Sequence, residues 1–284
     1  MLRPKNNKTK PRIKHRPFLK WAGGKFRLTD DLNRVFPKRK QCLIEPFVGA
    51  GAVFLNSHFE RYILADINPD LINLFNIVKE NVDAYIEACK PIFFAENANT
   101  AEYYYAQRDA FNQSTDPFVR SVLFLYLNRF GFNGLCRYNS KNEFNVPFGA
   151  YKTHYFPEDE LRYFAHKAQS AVFLCADFQQ TFELADKHSV IYCDPPYAPL
   201  PQDTNFTGYA GNAFGLEQQK NLAECAKKAQ KEKQISVVIS NHDTKFTREI
   251  YKGAKFKRVK VQRSISQSSE KRVKVKELIA IFKC

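Results

Sequence analysis

Several features that are common in membrane, secreted and metal-binding proteins are missing from this chain of 284 residues. No apolar run is long enough to span a membrane, and the N-terminus lacks the apolar core of a signal peptide. The seven cysteines include no Cys-x-x-Cys pair, and the six histidines show no metal-ligand spacing. These absences argue against a membrane partner, a disulfide framework and a bound metal. They predict a cytoplasmic protein with buried, reduced thiols.

Acidic residues are scarce in two segments of a chain that has 44 Lys and Arg against 29 Asp and Glu, a net charge of +15. Residues 1–16 contain seven Lys or Arg and no acid, and residues 252–276 contain ten with one Glu. Such runs are either solvated tails or surfaces that contact phosphate. The excess of positive charge favours a polyanionic partner such as nucleic acid.

The first predicted strand, residues 42–47, is followed by a glycine motif that lacks the third glycine of the dinucleotide-binding fingerprint. This strand leads into a turn with Gly49 and Gly51 and then into an apolar helix, which is typical of a nucleotide-binding unit. Phe54 and Leu55 stand where the dinucleotide fingerprint has its last glycine. The pattern therefore argues against NAD and is compatible with a ligand of the adenosine type.

Two further elements could complete a ligand site near this turn. Asp66 follows the apolar residues 62–65, and an acid at the end of the second strand typically binds ribose hydroxyls. The alternative is that Asp66 caps a helix that begins near Pro69. Upstream, two consecutive glycines between Trp21 and Lys25 let the backbone approach a ligand closely, although the same loop could be purely structural.

The sequence Asp194-Pro195-Pro196-Tyr197 directly follows the apolar run of residues 190–193. Prolines cannot continue a strand, so Asp194 is expected at the carboxyl end of one, where open α/β sheets bind their ligands. A carboxylate, main-chain carbonyls and the Tyr197 ring together suit a flat heterocycle with an exocyclic amine. The alternative is a strand that simply ends in a proline turn.

The middle of the chain, residues 68–152, has helical periodicity over most of its length. Residues 127–149 instead interleave Gly, Asn, Arg and aromatic residues with little apolar periodicity. A packed core does not need this mixture, whereas a loop that reads bases and stacks on them does. Asn133 and Arg137 are the strongest candidates for base contact. The predicted helices are residues 71–82, 103–111 and 118–129.

The last part of the chain returns to an alternation of strands and helices. The polar loop 200–215 is expected to become ordered on DNA, and a basic, serine-rich loop is expected at residues 263–276. His242 lies beside a helix-capping segment, so we expect its ring to be satisfied by hydrogen bonds rather than to be catalytic. Strands are predicted at residues 172–176, 235–240, 256–261 and 277–282, the last two as an antiparallel pair, and a helix at residues 216–233.

Three separate stretches resemble the DNA adenine-N6 methyltransferases that use S-adenosyl-L-methionine. They are the Phe-x-x-Trp-x-Gly-Gly-Lys element at residues 18–25, the glycine turn and the Asp-Pro-Pro-Tyr site, and their order matches the alpha arrangement of that family. Residues 127–149 closely resemble the GATC-specific members of the D12 family, and this match extends over nearly the whole chain. One departure is Phe132, where that family usually has Tyr, which preserves stacking but removes a hydroxyl.

The resemblance implies an α/β fold, namely the doubly wound mixed-sheet fold of S-adenosylmethionine-dependent methyltransferases with a helical target-recognition insertion. The catalytic domain would comprise residues 1–67 and 153–284, and the insertion residues 68–152. The implied partner is double-stranded DNA that contains GATC. The protein is expected to be a monomer in a bacterial cytoplasm, encoded by the bacterium or by a phage, and no metal is implied.

The resemblance also implies roles for individual residues. Catalysis would depend on Asp194, Pro195 and Tyr197. The cofactor would be bound by Trp21, Lys25, Phe47, Gly49, Gly51, Asp66, Asp177, Phe178 and Asp194. DNA would be contacted by Lys20 at the first guanine, Phe132 as a wedge in the duplex, Asn133 at the orphaned thymine, Leu135 and Pro147 at the third base pair, and Arg137 at the guanine of the fourth.

By this resemblance, the reaction is methyl transfer to N6 of an adenine that has flipped out of the duplex. The Asp194 carboxylate and the Pro195 carbonyl would accept hydrogen bonds from the amine while Tyr197 stacks on the base. With an ordinary pKa near roughly 4, Asp194 is too weak a base to deprotonate the neutral amine, so proton loss should follow methyl transfer. The alternatives are an adenine methyltransferase that acts on RNA or on another DNA sequence, and a non-catalytic DNA-binding protein.

Overall fold

A mixed β-sheet runs through the computed structural model, which describes residues 13–198, 214–262 and 274–284. The strands of these ranges are β1 (Cys42–Glu45), β2 (Arg61–Asp66), β3 (Ala171–Cys175), β4 (Ser189–Cys193), β5 (Ser236–His242), β6 (Lys255–Gln262) and β7 (Lys274–Phe282). They lie side by side in the order β3-β2-β1-β4-β5-β7-β6. Among them, β7 is the strand that runs in the opposite direction to the other six. The predicted mixed α/β sheet is therefore confirmed.

The sheet changes its direction of growth between β1 and β4. From β1 the chain moves outward to β2 and β3 on one side, and from β4 it moves to β5 on the other. Connections from these two neighbouring strands therefore diverge, and open α/β sheets bind ligands at such a point. Residues 42–45 and 189–193 are buried throughout, as expected for central strands that are covered on both faces.

Helices cover both faces of the sheet. Within the described ranges they are α1 (Thr29–Val35), α2 (Ala52–Asn56), α3 (Pro69–Glu80), α4 (Val82–Phe93), α5 (Ala101–Gln113), α6 (Pro117–Phe130), α7 (Glu158–Ala168), α8 (Phe178–Glu183), α9 (Leu216–Lys233) and α10 (Lys245–Ile250). The side chain of Asn68 accepts a hydrogen bond from the Leu71 N–H at the start of α3. Because Asn68 is the cap, the alternative role of Asp66 as the cap of this helix is wrong.

The helices between residues 68 and 152 share an apolar core with the sheet. The ring of Phe75 in α3 lies 4.8 Å from that of Phe164 in α7 and 5.3 Å from that of Phe173 in β3. Helices α3, α5 and α6 confirm the three predicted helices of this region. Helix α4 was not predicted, and it contains Pro91, a residue that normally breaks a helix. Here the proline lies close to the end of α4, where the disruption is small.

Two sequence predictions are wrong in part, namely the start of the last strand and the burial of the cysteines. Strands β6 and β7 form the predicted antiparallel pair, but β7 already begins at Lys274, within the predicted loop. Cys175 and Cys284 are exposed rather than buried. Residues 200–213 and 263–273, which make up most of the two predicted loops, lie outside the described residues, as do residues 1–12. In the described part of the chain, no helix has both the length and the apolar character needed to cross a bilayer.

Candidate active site

Asp194 directly follows β4, at the strand end where the sequence predicted it. Its Oδ1 lies 3.0 Å from Nζ of Lys25, whose side chain is only 6% exposed. The same ammonium donates a hydrogen bond of 2.6 Å to the Gly23 carbonyl. The ion pair therefore joins the N-terminal glycine loop to the end of the central strand.

Burial raises the pKa of the Asp194 carboxyl to about 6, and the neighbouring Lys25 charge opposes this rise. The expectation of an ordinary pKa near roughly 4 is therefore wrong, because it neglected the cost of holding a carboxylate in a poorly solvated place. At neutral pH the group is still mainly ionised. It also remains far too weak a base to deprotonate a neutral aromatic amine.

The ring of Tyr197 is held on three sides. Its centroid lies 4.6 Å from Nζ of Lys25, and the His242 ring meets it edge-on at 4.8 Å with an interplanar angle of 78°. The phenol hydroxyl donates a hydrogen bond of 3.1 Å to Oε2 of Glu277 in β7. Because the ring is fixed and half-buried, it can present a preset aromatic face to a planar ligand.

Buried amide side chains hold the turn of the Asp-Pro-Pro-Tyr segment. Nε2 of Gln219 in α9 donates to the Pro196 carbonyl at 2.7 Å, and Oδ1 of Asn241 accepts from the Ala198 N–H at 3.0 Å. The two amides also bond to each other at 2.9 Å. Nδ1 of His242 lies 2.7 Å from the Ala198 carbonyl oxygen, so the expectation of a hydrogen-bonded histidine is confirmed.

The glycine turn after β1 adopts backbone conformations that favour glycine. Gly49 has φ of 48° and Gly51 has φ of 74°. A Cβ atom at Gly49 would lie 2.9 Å from Nε1 of Trp21, so the indole packs directly against the turn. The Gly49 N–H donates to Oδ2 of Asp66 at 3.1 Å, and the Asn68 N–H donates to Oδ1 of Asp66 at 3.1 Å. Asp66 therefore ties the turn to the end of β2.

The Asp66 carboxyl is also poorly solvated. Burial raises its pKa, and the N–H groups of Asn68 and Gly49 oppose that rise. A carboxylate with two backbone donors on one side still has lone pairs for further donors. A ligand that brings hydroxyl groups to the turn would supply such donors.

Aromatic rings line the same edge of the sheet beyond the turn. Phe47 and Phe178 stack with centroids 5.8 Å apart and an interplanar angle of 24°, and Phe214 meets Phe47 edge-on at 5.4 Å. Asp177 precedes Phe178 and accepts a hydrogen bond of 2.8 Å from the Gln179 N–H as the cap of α8. Its carboxylate therefore has a structural function whether or not it also meets a ligand.

The segment after α6 presents the residues predicted to meet DNA. Phe132 is 45% exposed, and Asn133 is exposed with φ of 54°. The Phe132 N–H donates to the Pro147 carbonyl at 2.9 Å, which joins the two ends of the segment. Leu135 is partly buried against the core. The turn thus holds one aromatic side chain and one amide outward on a fixed backbone.

Arg137 is exposed, but its guanidinium is already oriented. Nε donates to Oδ1 of Asn145 at 2.7 Å, and Nη2 donates to the Asn145 carbonyl at 3.0 Å. Lys20 is half-buried, and its Nζ donates to the Arg129 carbonyl at 2.8 Å and lies 3.8 Å from the centroid of the Tyr151 ring. Burial and the nearby Arg129 charge lower the pKa of Lys20 to about 8.

The predicted site residues therefore fall into groups. The strand order brings the ends of β1, β2, β3 and β4 to one edge of the sheet, which carries the candidate catalytic and cofactor residues. Sequence reasoning missed the partners Glu277, Gln219, Asn241 and Asn145. Two of them gave a signal: Asn241 is a polar residue that follows an apolar run, and Asn145 lies in the interleaved stretch of residues 127–149. The four groups of predicted site residues are Lys25, Asp194, Pro195 and Tyr197; Trp21, Gly49, Gly51 and Asp66; Phe47, Asp177 and Phe178; and Lys20, Phe132, Asn133, Leu135, Arg137 and Pro147.

Comparison with known proteins identifies the family. Residues 21–265 match the model of the D12 class N6 adenine-specific DNA methyltransferases. The chain is 83% identical over 282 residues to the DNA adenine methylase of Haemophilus influenzae, with 99% of each chain covered. It is 59% identical over 270 residues to that of Escherichia coli K12, with 95% of this chain and 96% of the relative covered. The chain therefore belongs to the D12 class of N6 adenine-specific DNA methyltransferases.

Proposed function

We propose that this DNA adenine-N6 methyltransferase takes its methyl group from S-adenosyl-L-methionine and methylates a flipped adenine in duplex GATC. The observation that carries the proposal is the ionised Asp194 at the switch point of the sheet, held by Lys25 and beside the fixed ring of Tyr197. Membership of an enzyme family, together with this intact group, argues against the non-catalytic alternative.

Catalysis at this site is a matter of positioning and charge. The lone pair of the adenine amine is delocalised into the ring, so the amine is a poor nucleophile. The Asp194 carboxylate and the Pro195 carbonyl would accept its two hydrogens and favour a pyramidal nitrogen. Positive charge then develops on nitrogen next to a carboxylate, which lowers the barrier. Asp194 cannot remove a proton from the neutral amine, but the methylated nitrogen is positively charged and strongly acidic, so its proton would pass to the Asp194 carboxylate after methyl transfer.

The residues of the glycine turn fit an adenosine-type methyl donor. S-adenosyl-L-methionine, when bound, supplies an electrophilic methyl group on sulfonium sulfur. Asp66 has acceptor capacity for ribose hydroxyls, and the Trp21 indole packs directly against the turn at Gly49. Phe47 and Phe178 offer apolar faces to the adenine ring. We assign Gly51 to the same site as the residue that lets the turn enter α2.

The Asp66→Ala substitution should weaken binding of S-adenosyl-L-methionine. Charge-assisted hydrogen bonds to ribose contribute about 1.5–3 kcal/mol, which corresponds to roughly 10- to 150-fold in Kd. Asp66→Asn is the closest isosteric variant, since its amide oxygen can still accept the Gly49 N–H, although the bond from the Asn68 N–H is lost. Calorimetric titration of folded variants measures the effect. An unchanged Kd in Asp66→Ala would place ribose binding elsewhere.

Recognition of DNA is proposed for residues 68–152, with residues 1–67 and 153–284 as the catalytic domain. Helix α3 would anchor this insertion, because its Phe75 packs against the sheet. The exposed ring of Phe132 is suited to enter the duplex where the adenine leaves, and the outward Asn133 amide is suited to the thymine left behind. Leu135 and Pro147 would contact the third base pair, and Lys20 the first guanine.

The Arg137→Ala substitution should relax sequence preference at one base pair, the fourth of GATC. An arginine that is bidentate to guanine contributes about 1–3 kcal/mol of discrimination, whereas a phosphate contact adds affinity for every sequence alike. Transfer of a tritiated methyl group to GATC and to each single-base variant, at one salt concentration, measures the preference. The same assay on RNA and on duplexes without GATC tests the alternative substrates.

A phosphate-contact control separates charge from base reading. Neutralising Lys271, Arg272 and Lys274 together, in the basic stretch of residues 263–276, should weaken binding to all duplexes and reduce its salt dependence. If Arg137→Ala instead lowers every methylation rate by the same factor, Arg137 is only a phosphate contact. If the wild-type enzyme methylates all duplexes equally well, GATC specificity itself is wrong.

A further inference from the structure

The backbone on both sides of Arg137 is tethered to the beginning of helix α3. On one side, the Tyr138 hydroxyl donates a hydrogen bond of 2.7 Å to Oδ2 of Asp70. On the other, Nδ2 of Asn68 donates to Sγ of Cys136 at 3.3 Å. Arg137 itself is exposed between these two partly buried neighbours. The segment that carries the proposed guanine contact is thus fixed at two points.

Asp70 is a rigid acceptor for this hydroxyl. Its side chain is 11% exposed, and Arg120 of α6 binds it through two hydrogen bonds, Nε to Oδ1 at 2.8 Å and Nη2 to Oδ2 at 3.0 Å. Nη1 of Arg120 donates to the carbonyls of Phe111 and Ser114 at 2.8 and 2.9 Å. The carboxylate therefore cannot turn away from Tyr138 without breaking a two-point contact with arginine.

The orientation of the Arg137 side chain depends on the same part of the fold. Asn145 accepts from Nε and Nη2, and its N–H donates to the Arg137 carbonyl at 3.0 Å. These bonds use the Nε hydrogen and one Nη2 hydrogen of the exposed side chain and leave three hydrogens free, so that Nη1 and Nη2 can each donate one hydrogen bond, to guanine O6 and N7. Tyr138 and Phe144, the sequence neighbours of Arg137 and Asn145, form an isolated antiparallel β-bridge.

We propose that the Asp70 carboxylate and the Tyr138 hydroxyl are positioning residues for Arg137, and that they set how strictly the enzyme reads the fourth base pair. The proposal rests on the proposed guanine contact of Arg137. Bidentate readout depends on the angle at which the guanidinium meets the base edge. Without the tether, the backbone at residues 136–138 gains freedom, and Arg137 can reach a phosphate or a different base edge as well as guanine.

The Tyr138→Phe substitution tests this with the removal of one hydroxyl. Discrimination at the fourth base pair, as the ratio of kcat/KM on GATC to kcat/KM on duplexes altered there, should fall about five- to tenfold. Discrimination at the other three pairs should not change. Tyr126→Phe is the matched control, because its hydroxyl donates to the Ala98 carbonyl in the same insertion and is also buried. It should lower the melting temperature by a similar amount and leave every ratio unchanged.

The Arg137→Ala single variant and the Arg137→Ala, Tyr138→Phe double variant complete the cycle. Tyr138→Phe should have no further effect on discrimination once Arg137 is absent. If Arg137→Ala relaxes the fourth pair but Tyr138→Phe lowers all rates equally, as Tyr126→Phe does, the positioning role is wrong while the guanine contact stands. If Arg137→Ala does not relax the fourth pair, the guanine contact is wrong, and the positioning role is overturned with it.

Discussion

The Asp194→Ala substitution is expected to lower kcat by about 10²–10³-fold while DNA binding changes by no more than a few-fold. The carboxylate lies at the carboxyl end of β4 and is paired with the buried Lys25. It meets the amine hydrogens most strongly when positive charge develops on nitrogen, so its loss affects the transition state more than the bound substrate. Single-turnover methyl transfer and a DNA titration measure the two effects separately.

A second variant and a control keep this result interpretable. Asp194→Ala leaves the Lys25 ammonium buried without its partner, which can destabilise the fold. Asp194→Asn retains an acceptor oxygen and the volume of the side chain but loses the charge, so its kcat should lie between those of the wild type and Asp194→Ala. Asp31→Asn, which removes the charged partner of Lys257 in a pair that includes no candidate site residue, should leave kcat unchanged. Near-normal turnover in Asp194→Ala would overturn the mechanism.

The elements of the sheet were predictable because their signals are local. The strand at residues 190–193 ends at two prolines, and α9 was predicted with the bounds Leu216–Lys233 that the structure has. Both follow from apolar runs and residues that stop an element. Helix α4 was not predicted because Pro91 lies within it. Its stability comes from tertiary packing, which a local sequence pattern does not show. The cap of α3 was assigned to Asp66 as an alternative, although Asn68 is the residue at the helix start.

The candidate site was predictable as a set of residues but not as a set of contacts. Asp194, Tyr197 and the glycine turn were identified by their sequence neighbours. The pairing of Asp194 with Lys25 depends on how the N-terminal loop packs on the sheet, and the pKa of about 6 depends on the resulting burial. Likewise, Tyr197 and its partner Glu277 lie far apart in the sequence and meet only because β7 is added to the sheet next to β5.

One short N-terminal segment contacts both halves of the proposed function. The N–H and carbonyl of Lys20 are bound by the amide of Asn128 in α6, each at 2.8 Å, and a Cβ at Gly134 would lie 2.2 Å from Cβ of Lys20. Five residues later, Lys25 reaches Asp194. The segment therefore packs against the turn that is proposed to read DNA and also supplies the charge beside the candidate catalytic carboxylate. The proposed recognition and catalytic residues are joined through this segment.

The Lys25→Met substitution should move the pH dependence of activity to higher pH. The wild-type kcat/KM is expected to fall as the pH drops through about 6, because the protonated Asp194 carboxyl no longer accepts both amine hydrogens well. Removing the ammonium removes the charge that holds this pKa down, so the acidic limb of the profile must shift upward. At a given pH below the new midpoint, each pH unit by which the acidic limb shifts upward lowers kcat/KM about tenfold. Activity lost at pH 7 should return in part at higher pH.

The pH dependence of folding stability in Lys25→Met should also shift to higher pH, which gives a readout that does not depend on turnover. The pKa of Asp194 is raised on folding from 3.8 to about 6, so the folded state binds this proton more tightly than the unfolded chain. The resulting stabilisation is complete below pH 3.8 and is lost as the pH rises through about 6. Without Lys25 the folded pKa is higher still, so the melting temperature of Lys25→Met should continue to fall at pH values where the wild type has levelled off.

The control for charge is Lys257→Met, which breaks a more exposed ion pair, with Asp31 of α1, that includes no candidate site residue. It should leave the acidic limb of the activity profile where it is in the wild type. If Lys25→Met lowers kcat/KM by the same factor at every pH, Lys25 does not act through the ionisation of Asp194. Its place beside the carboxylate would then serve only to hold the glycine loop, and the electrostatic part of the proposed mechanism would be wrong.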